Sequence, residues 1–219
     1  ENLRDAWRRA ARPGYKCEGG LVKLGIISDI HCNLNGLKQA LAAMESVDEI
    51  ICLGDIINEH QFSNEAIAAL KAREAHVILG NHEEVFLSPA GARAREYKKN
   101  DRTLVKWLAE QPHQRELMIG GKKILMIHST PWEPRGDYIF PHSEQLERFA
   151  EAEADFVLYG HTHAHLVRRV GGVLVINPGA AGEPYYNGDA WRLSSAILDT
   201  VTEEVKRIDF PDSRYPATA

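Results

Sequence analysis

Asp29 and His31 stand two apart in SDIHCN, and Asp55 follows a glycine in LGDII. Asn81 and His82 are adjacent in LGNHEE, His128 follows KILMI, and His161 and His163 alternate in YGHTH. Carboxylate, amide and imidazole form a mixed oxygen and nitrogen donor set with no thiolate. Such a set suits Mn, Fe, Zn, Ni or Co rather than a sulfur-bound structural zinc. Asp29, His31, Asp55, Asn81, His128, His161 and His163 are more ligands than one ion needs while keeping positions open for water and substrate. Two divalent transition-metal ions sharing one carboxylate account for the number. Ions roughly 3.5–4 Å apart clamp the attacking and leaving oxygens of an in-line displacement. A hydroxide bridging two cations needs no separate strong base, whereas a poor alkoxide leaving group gains from a proton donor.

Each motif is common by itself; what distinguishes this chain is that every one follows a short apolar run. Residues 21–28, 49–53, 76–79, 123–127 and 156–159 read as buried strands. Helical spacing runs through 34–45 and through 63–74, with Ser63 placed to cap the second helix. Residues 84–110 are charged and helix-prone, and 143–152 read as a further helix. Alternating strands and helices imply a parallel sheet with helices on its faces. Beyond His165 short strands succeed one another through a Gly171-Gly172 hairpin turn and around 194–198 and 205–210, so the back half is more antiparallel. The expected fold is α/β, with two mixed β-sheets packed face to face and flanked by helices. Strand C-terminal ends in such sheets open on a common crevice. The glycines before Asp55, Asn81 and His161 are expected to let the chain turn sharply there.

A chain of 219 residues suits one domain. Residues 1–20 are rich in Arg and Gly and poor in apolar residues, and read as an N-terminal extension to a domain spanning 21–219. The net charge of −5 offers no general basic field, so no extended nucleic acid is expected as a partner. A small phosphate ester stays compatible, because a metal site carries its own positive charge. No apolar run approaches the roughly 18 residues that span a membrane. Cys17, Cys32 and Cys52 make no disulfide framework, which fits a cytoplasmic location; a first residue other than Met leaves a removed leader open. Homo-oligomerisation is also open, with residues 84–111 the natural lid or interface.

Taken together, Asp29-x-His31, Gly54-Asp55, Gly80-Asn81-His82-Glu83, His128 and Gly160-His161-Thr162-His163 resemble the five-block signature of the calcineurin-like metallophosphoesterase superfamily. The likeness is greatest to its small single-domain bacterial and archaeal phosphodiesterases. The resemblance implies a four-layer αββα sandwich and a dinuclear centre, most naturally manganese. It implies that Asp29, His31, Asp55 and His163 hold one ion, and Asp55, Asn81, His128 and His161 the other, with Asp55 bridging. His82 would be catalytic rather than a ligand, acting at the scissile phosphate. Three stretches depart from the pattern. Cys32 stands where that branch usually has glycine, no Arg follows Asp55 closely, and Glu183-Pro184-Tyr185-Tyr186 replaces an expected Arg. An acidic residue and two aromatics there suit a less charged diester with a group to stack, or are plain surface residues. The expected function is hydrolysis of a small phosphodiester. The alternatives are a phosphomonoesterase and, from another class, the protein-interaction scaffold of membrane-coat assembly. That scaffold branch has lost the Asn-His block present here.

Overall fold

Leu24 and Ile26 face one side of strand β1 (Lys23–Ile27) and Ile27 the other, and all three are fully buried. A strand buried on both faces needs cover on both. A second sheet covers one face and helices the other. The computed structural model describes residues 21–133 and 135–215; the expected N-terminal extension lies outside them.

From β1 the chain runs through helix α1 (Leu34–Ala43), β2 (Glu49–Cys52), α2 (Asn64–Ala72) and β3 (His76–Val77). The three strands pair in parallel. Asn33 caps α1 by accepting Gly36 N–H, and Ser63 caps α2 by accepting Ala66 N–H, as the sequence suggests for Ser63. The charged stretch folds into α3 (Asn81–Leu87), a 3-10 turn, α4 (Ala92–Arg95) and α5 (Arg102–Ala109). Strands β4 (Gln114–Ile119), β5 (Lys122–Ile127), β6 (Phe156–Leu158), β7 (Leu166–Val170) and β8 (Val173–Asn177) form the second sheet, in the order β4-β5-β6-β8-β7. The short β9 (Tyr185–Tyr186) then leads to β10 (Trp191–Asp199) and β11 (Val205–Pro211), which return to the first sheet in the order β11-β10-β1-β2-β3.

Three apolar layers separate four structural ones. Leu24, Ile26, Ile51 and Leu53 meet Ile124, Met126, Phe156 and Leu158 between the sheets. Leu37, Met44, Ile67 and Phe86 pack helices on the outer face of the first sheet. Leu146 and Phe149 pack on the outer face of the second. Two expectations need correction. The helix expected over 143–152 is a 3-10 helix, Glu144–Glu151. Its buried residues, Leu146 and Phe149, are three apart, a spacing that a three-residue turn aligns on one side. The strand expected over 76–79 ends sooner, at His76–Val77; Ile78 N–H still reaches Cys52 O, but Leu79 N–H is taken by Pro112 O.

Candidate metal centre

Asp29, His31, Asp55, Asn81, His82, His128, His161 and His163 all leave the C-terminal ends of β1, β2, β3, β5 and β6, and the structure brings them to one crevice. Asp29, His31, Asp55, His161 and His163 adopt left-handed backbone, with φ between 46° and 66°. For side chains other than glycine this costs on the order of 1–3 kcal/mol each and persists only where the surroundings impose it. Here the loops hold one another. Ile30 and His31 both donate N–H to Asp55 O, at 2.7 and 2.9 Å, and Cys32 donates to Ile56 O at 2.9 Å. His82 N–H donates to Asp55 Oδ1 (2.9 Å) and His161 N–H to Asp29 Oδ2 (3.1 Å).

The glycines act in two ways rather than one. Gly54 does take the expected left-handed turn, at φ 92°. Gly80, at φ −98°, has no such need. A Cβ there would stand 2.2 Å from Asp55 Oδ1, and one on Gly160 would stand 2.7 Å from Asp29 Oδ2. Those glycines make room for the carboxylates.

The donor atoms fall into three groups within which all lie inside 4.8 Å: Asp29, His31 and His163; His31, Asp55 and His82; and Asp55, His128 and His161. Asp55 is therefore shared by groups on either side. Asn81 joins the last group through His128, whose Nε2 is 3.0 Å from Asn81 Oδ1 and 3.2 Å from Asp55 Oδ2. His82 Nε2 stands 3.8 Å from Asp55 Oδ2, beside His31 and Asp55 at the middle of the crevice.

This arrangement fits a cation. Asp29 Oδ1 is buried without a hydrogen bond, 3.3 Å from His163 Nε2, while His31 Nε2 and His163 Nε2 face each other at 3.2 Å. Electron-pair donors converge there. Burial lowers the pKa of His31 and of His161, which favours the neutral rings that bind metals. At Asp55 and His128 burial opposes charge, yet their mutual attraction outweighs it, lowering the carboxyl and raising the imidazole. The positive charge that Asp55 draws onto His128 is the charge a metal ion would bring. His128 Nδ1 hydrogen-bonds Leu53 O at 2.7 Å, which fixes the ring with Nε2 toward the crevice, the usual support for a ligating histidine.

Three residues beyond the expected set shape the centre. Glu83, fully buried, accepts the backbone N–H groups of Asp55, Ile56, Ile57 and Gly80 at 2.7–3.0 Å. Tyr138 stacks on the His161 ring with centroids 3.9 Å apart. Arg135 lines a cleft of about 310 Å³ with Asn81 and His128. Glu83 is visible in the sequence motif, but its contacts are not; Arg135 and Tyr138 carry no sequence signal. Tyr185 donates its hydroxyl to Asp209, and Arg207 lies over its ring.

Residues 22–203 match the family model described as the calcineurin-like phosphoesterase superfamily domain, and the chain belongs to that superfamily. It is a metal-dependent phosphoester hydrolase with a fold of two mixed sheets flanked by helices. It is 28% identical to an uncharacterized protein of Methanocaldococcus jannaschii, over 74% of this chain and 76% of that one. A metallophosphoesterase from Sphaerobacter thermophilus has the same fold at 23% identity and a TM-score of 0.70, over 89% of this chain and 90% of that one. A structurally characterised archaeal phosphodiesterase is 26% identical, with a TM-score of 0.56, over 86% of this chain and 99% of that one. Among the described residues no helix is long and apolar enough to cross a membrane.

Proposed function

We propose that this protein is a dinuclear-metal phosphodiesterase acting on a small phosphate diester. Asp29, His31, Asp55 and His163 would hold one ion, and Asp55, Asn81, His128 and His161 the other. The observation that carries this reading is the Asp55 carboxylate, which lies within 4.8 Å of the His31 donor on one side and of the His128 and His161 donors on the other. When bound, the ions supply Lewis-acid charge at the phosphate and bring the pKa of a bound water toward neutrality. The chain's own residues do the rest. Asn81 and His128 orient one another at 3.0 Å. His82, about a quarter exposed at the crevice, delivers a proton from Nε2 to the departing oxygen. Manganese as the native ion accords with the carboxylates of Asp29 and Asp55, the amide of Asn81 and the lack of any thiolate in the donor set, and a cytoplasmic location with the free thiols of Cys32 and Cys52.

The charge around the cleft favours a diester over a monoester. Arg135 is paired with Glu84 and Glu133, each at 3.4 Å, and Glu183 lies exposed on the His163 side. A monoester brings about −1.5 to −2 at neutral pH, and among the described residues lining the cleft Arg135 is already paired with two carboxylates. The likeness to an archaeal phosphodiesterase points the same way. The test is kcat/KM of the manganese-loaded protein on bis(p-nitrophenyl) phosphate and on p-nitrophenyl phosphate. The diester should be favoured at least tenfold; a preference for the monoester would make the protein a phosphatase.

A further inference from the structure

A second cavity of about 860 Å³, lined by none of the metal-centre residues, has Gln61 in its lining, the residue whose carbonyl meets Cys32 next to His31. One wall carries His60 and Phe62, the other Arg93, Tyr97 and Lys99. Both walls grow out of the metal centre. The first begins five residues after Asp55, and the second continues from α3, which starts with Asn81 and His82. Cys32, next to His31, donates its thiol to Gln61 O at 3.2 Å and ties the first wall to the β1 loop.

The cavity is built rigidly. Asn64 spans it at the rim, donating to Lys99 O and accepting from Asp101 N, each at 2.8 Å. Phe62 stacks on Phe86 with centroids 5.4 Å apart. A Cβ on Gly91 would meet Phe86 O at 2.1 Å, so the turn into α4 is held tight against α3. Its volume lies within the roughly 300–1,000 Å³ of small-molecule sites.

Its charge is opposite to that of the chain. Residues 92–102 carry Arg93, Arg95, Lys98, Lys99 and Arg102 against Glu96 and Asp101, five minus two, on a chain of net −5. Arg95 donates its guanidinium to the backbone carbonyls of Phe86 and Ser88, and Arg102 to those of Arg95 and Glu96. The side chains of Arg93 and Lys99 have no ion pair or hydrogen bond among the described residues, and Glu65 is the lone carboxylate in the lining. Two unspent cations beside the half-exposed Tyr97 ring make a site for an anion that also carries a flat face.

We propose that this cavity binds the non-scissile arm of the diester, and that this arm is nucleotide-like, with a ring and a negative charge of its own. The proposal rests on the phosphodiesterase reading and refines it. The scissile phosphate, singly charged, goes to the metal centre, while the second anion is gripped by Arg93 and Lys99.

The test uses the full chain loaded with manganese. Two diesters are compared: bis(p-nitrophenyl) phosphate, whose arms carry no charge, and diadenylate with a 5′-terminal phosphate. In the Arg93→Gln/Lys99→Gln double variant, the ratio of KM for the phosphorylated dinucleotide to KM for the aryl diester should rise at least tenfold. The ratio of Ki for adenosine 3′,5′-bisphosphate to Ki for inorganic phosphate should rise likewise, and calorimetry should record weaker binding of the bisphosphate. Tyr97→Ala should move the same ratios less, and rising salt should narrow the difference between parent and variant. Unchanged ratios in a folded double variant, with both diesters hydrolysed by the parent, would overturn the proposal and leave the phosphodiesterase reading standing. A parent that hydrolyses neither diester, yet binds the bisphosphate through Arg93 and Lys99, would overturn that reading and keep the anion site.

Discussion

Glu83 Oε2 accepts the backbone N–H of Asp55 at 2.7 Å, so a helix residue from after β3 fixes the loop that carries the central carboxylate. The other oxygen takes Ile56 and Ile57, and Oε2 also takes Gly80. Burial, then the charge of Asp55, push the Glu83 pKa up, against the pull of these amides. Glu83→Gln turns an NH₂ donor toward two backbone N–H donors. Each stranded donor costs about 1–3 kcal/mol, so we expect a loss of roughly 2–6 kcal/mol in denaturant unfolding and weaker metal retention. Parent-like stability with full metal content would show that Glu83 does not hold the loop.

Gly80→Ala should act on the same carboxylate from the other side. The new Cβ would stand 2.2 Å from Asp55 Oδ1 and 2.6 Å from Asp55 N. Backbone must shift, which in a packed site costs about 1–3 kcal/mol. Activity should fall further than stability, because Asp55 is displaced. Turnover close to that of the parent would mean that the carboxylate position is not critical.

His82→Ala separates chemistry from metal binding. The ring lies 3.8 Å from Asp55, edge-on to His31 at 4.7 Å. As a proton donor it should cost roughly 10²–10⁴-fold in kcat when lost, with both ions retained. The loss should be smaller on an activated aryl ester, which departs without a proton, than on a nucleoside ester. Equal losses on both would assign His82 to charge stabilisation, and loss of one ion would make it a ligand.

Much of the site is legible because each of its residues ends an apolar run, as Asp29 does after Ile26 and Ile27, and Asp55 after Ile51 and Leu53. What stays hidden depends on partners far along the chain. Glu83 reads as an ordinary first-turn helix residue, yet its partners at 55–57 lie 26 to 28 positions away. Strand β4 alternates half-buried and exposed residues at a sheet edge, so QRELMI gives a weak apolar signal. The return of β10 to pair with β1, Lys23 opposite Asp199, is not written in either segment. Cys32 is a milder case. At φ 60° it occupies backbone that favours glycine, the residue usual there in the branch this chain resembles. Arg93 and Lys99 read as solvated helix charge until the loop after Asp55 is seen facing them.

The central claim is that two ions gather around Asp55, and the metal content of the protein at saturation tests it most directly. After removal of bound metal and titration with manganese, elemental analysis should find about two ions per chain, as expected of a two-metal hydrolase. Asp55→Asn, which keeps the shape but removes the shared charge, should lose at least one of them. One ion or none in the saturated parent, or two ions fully retained in Asp55→Asn, would contradict the account.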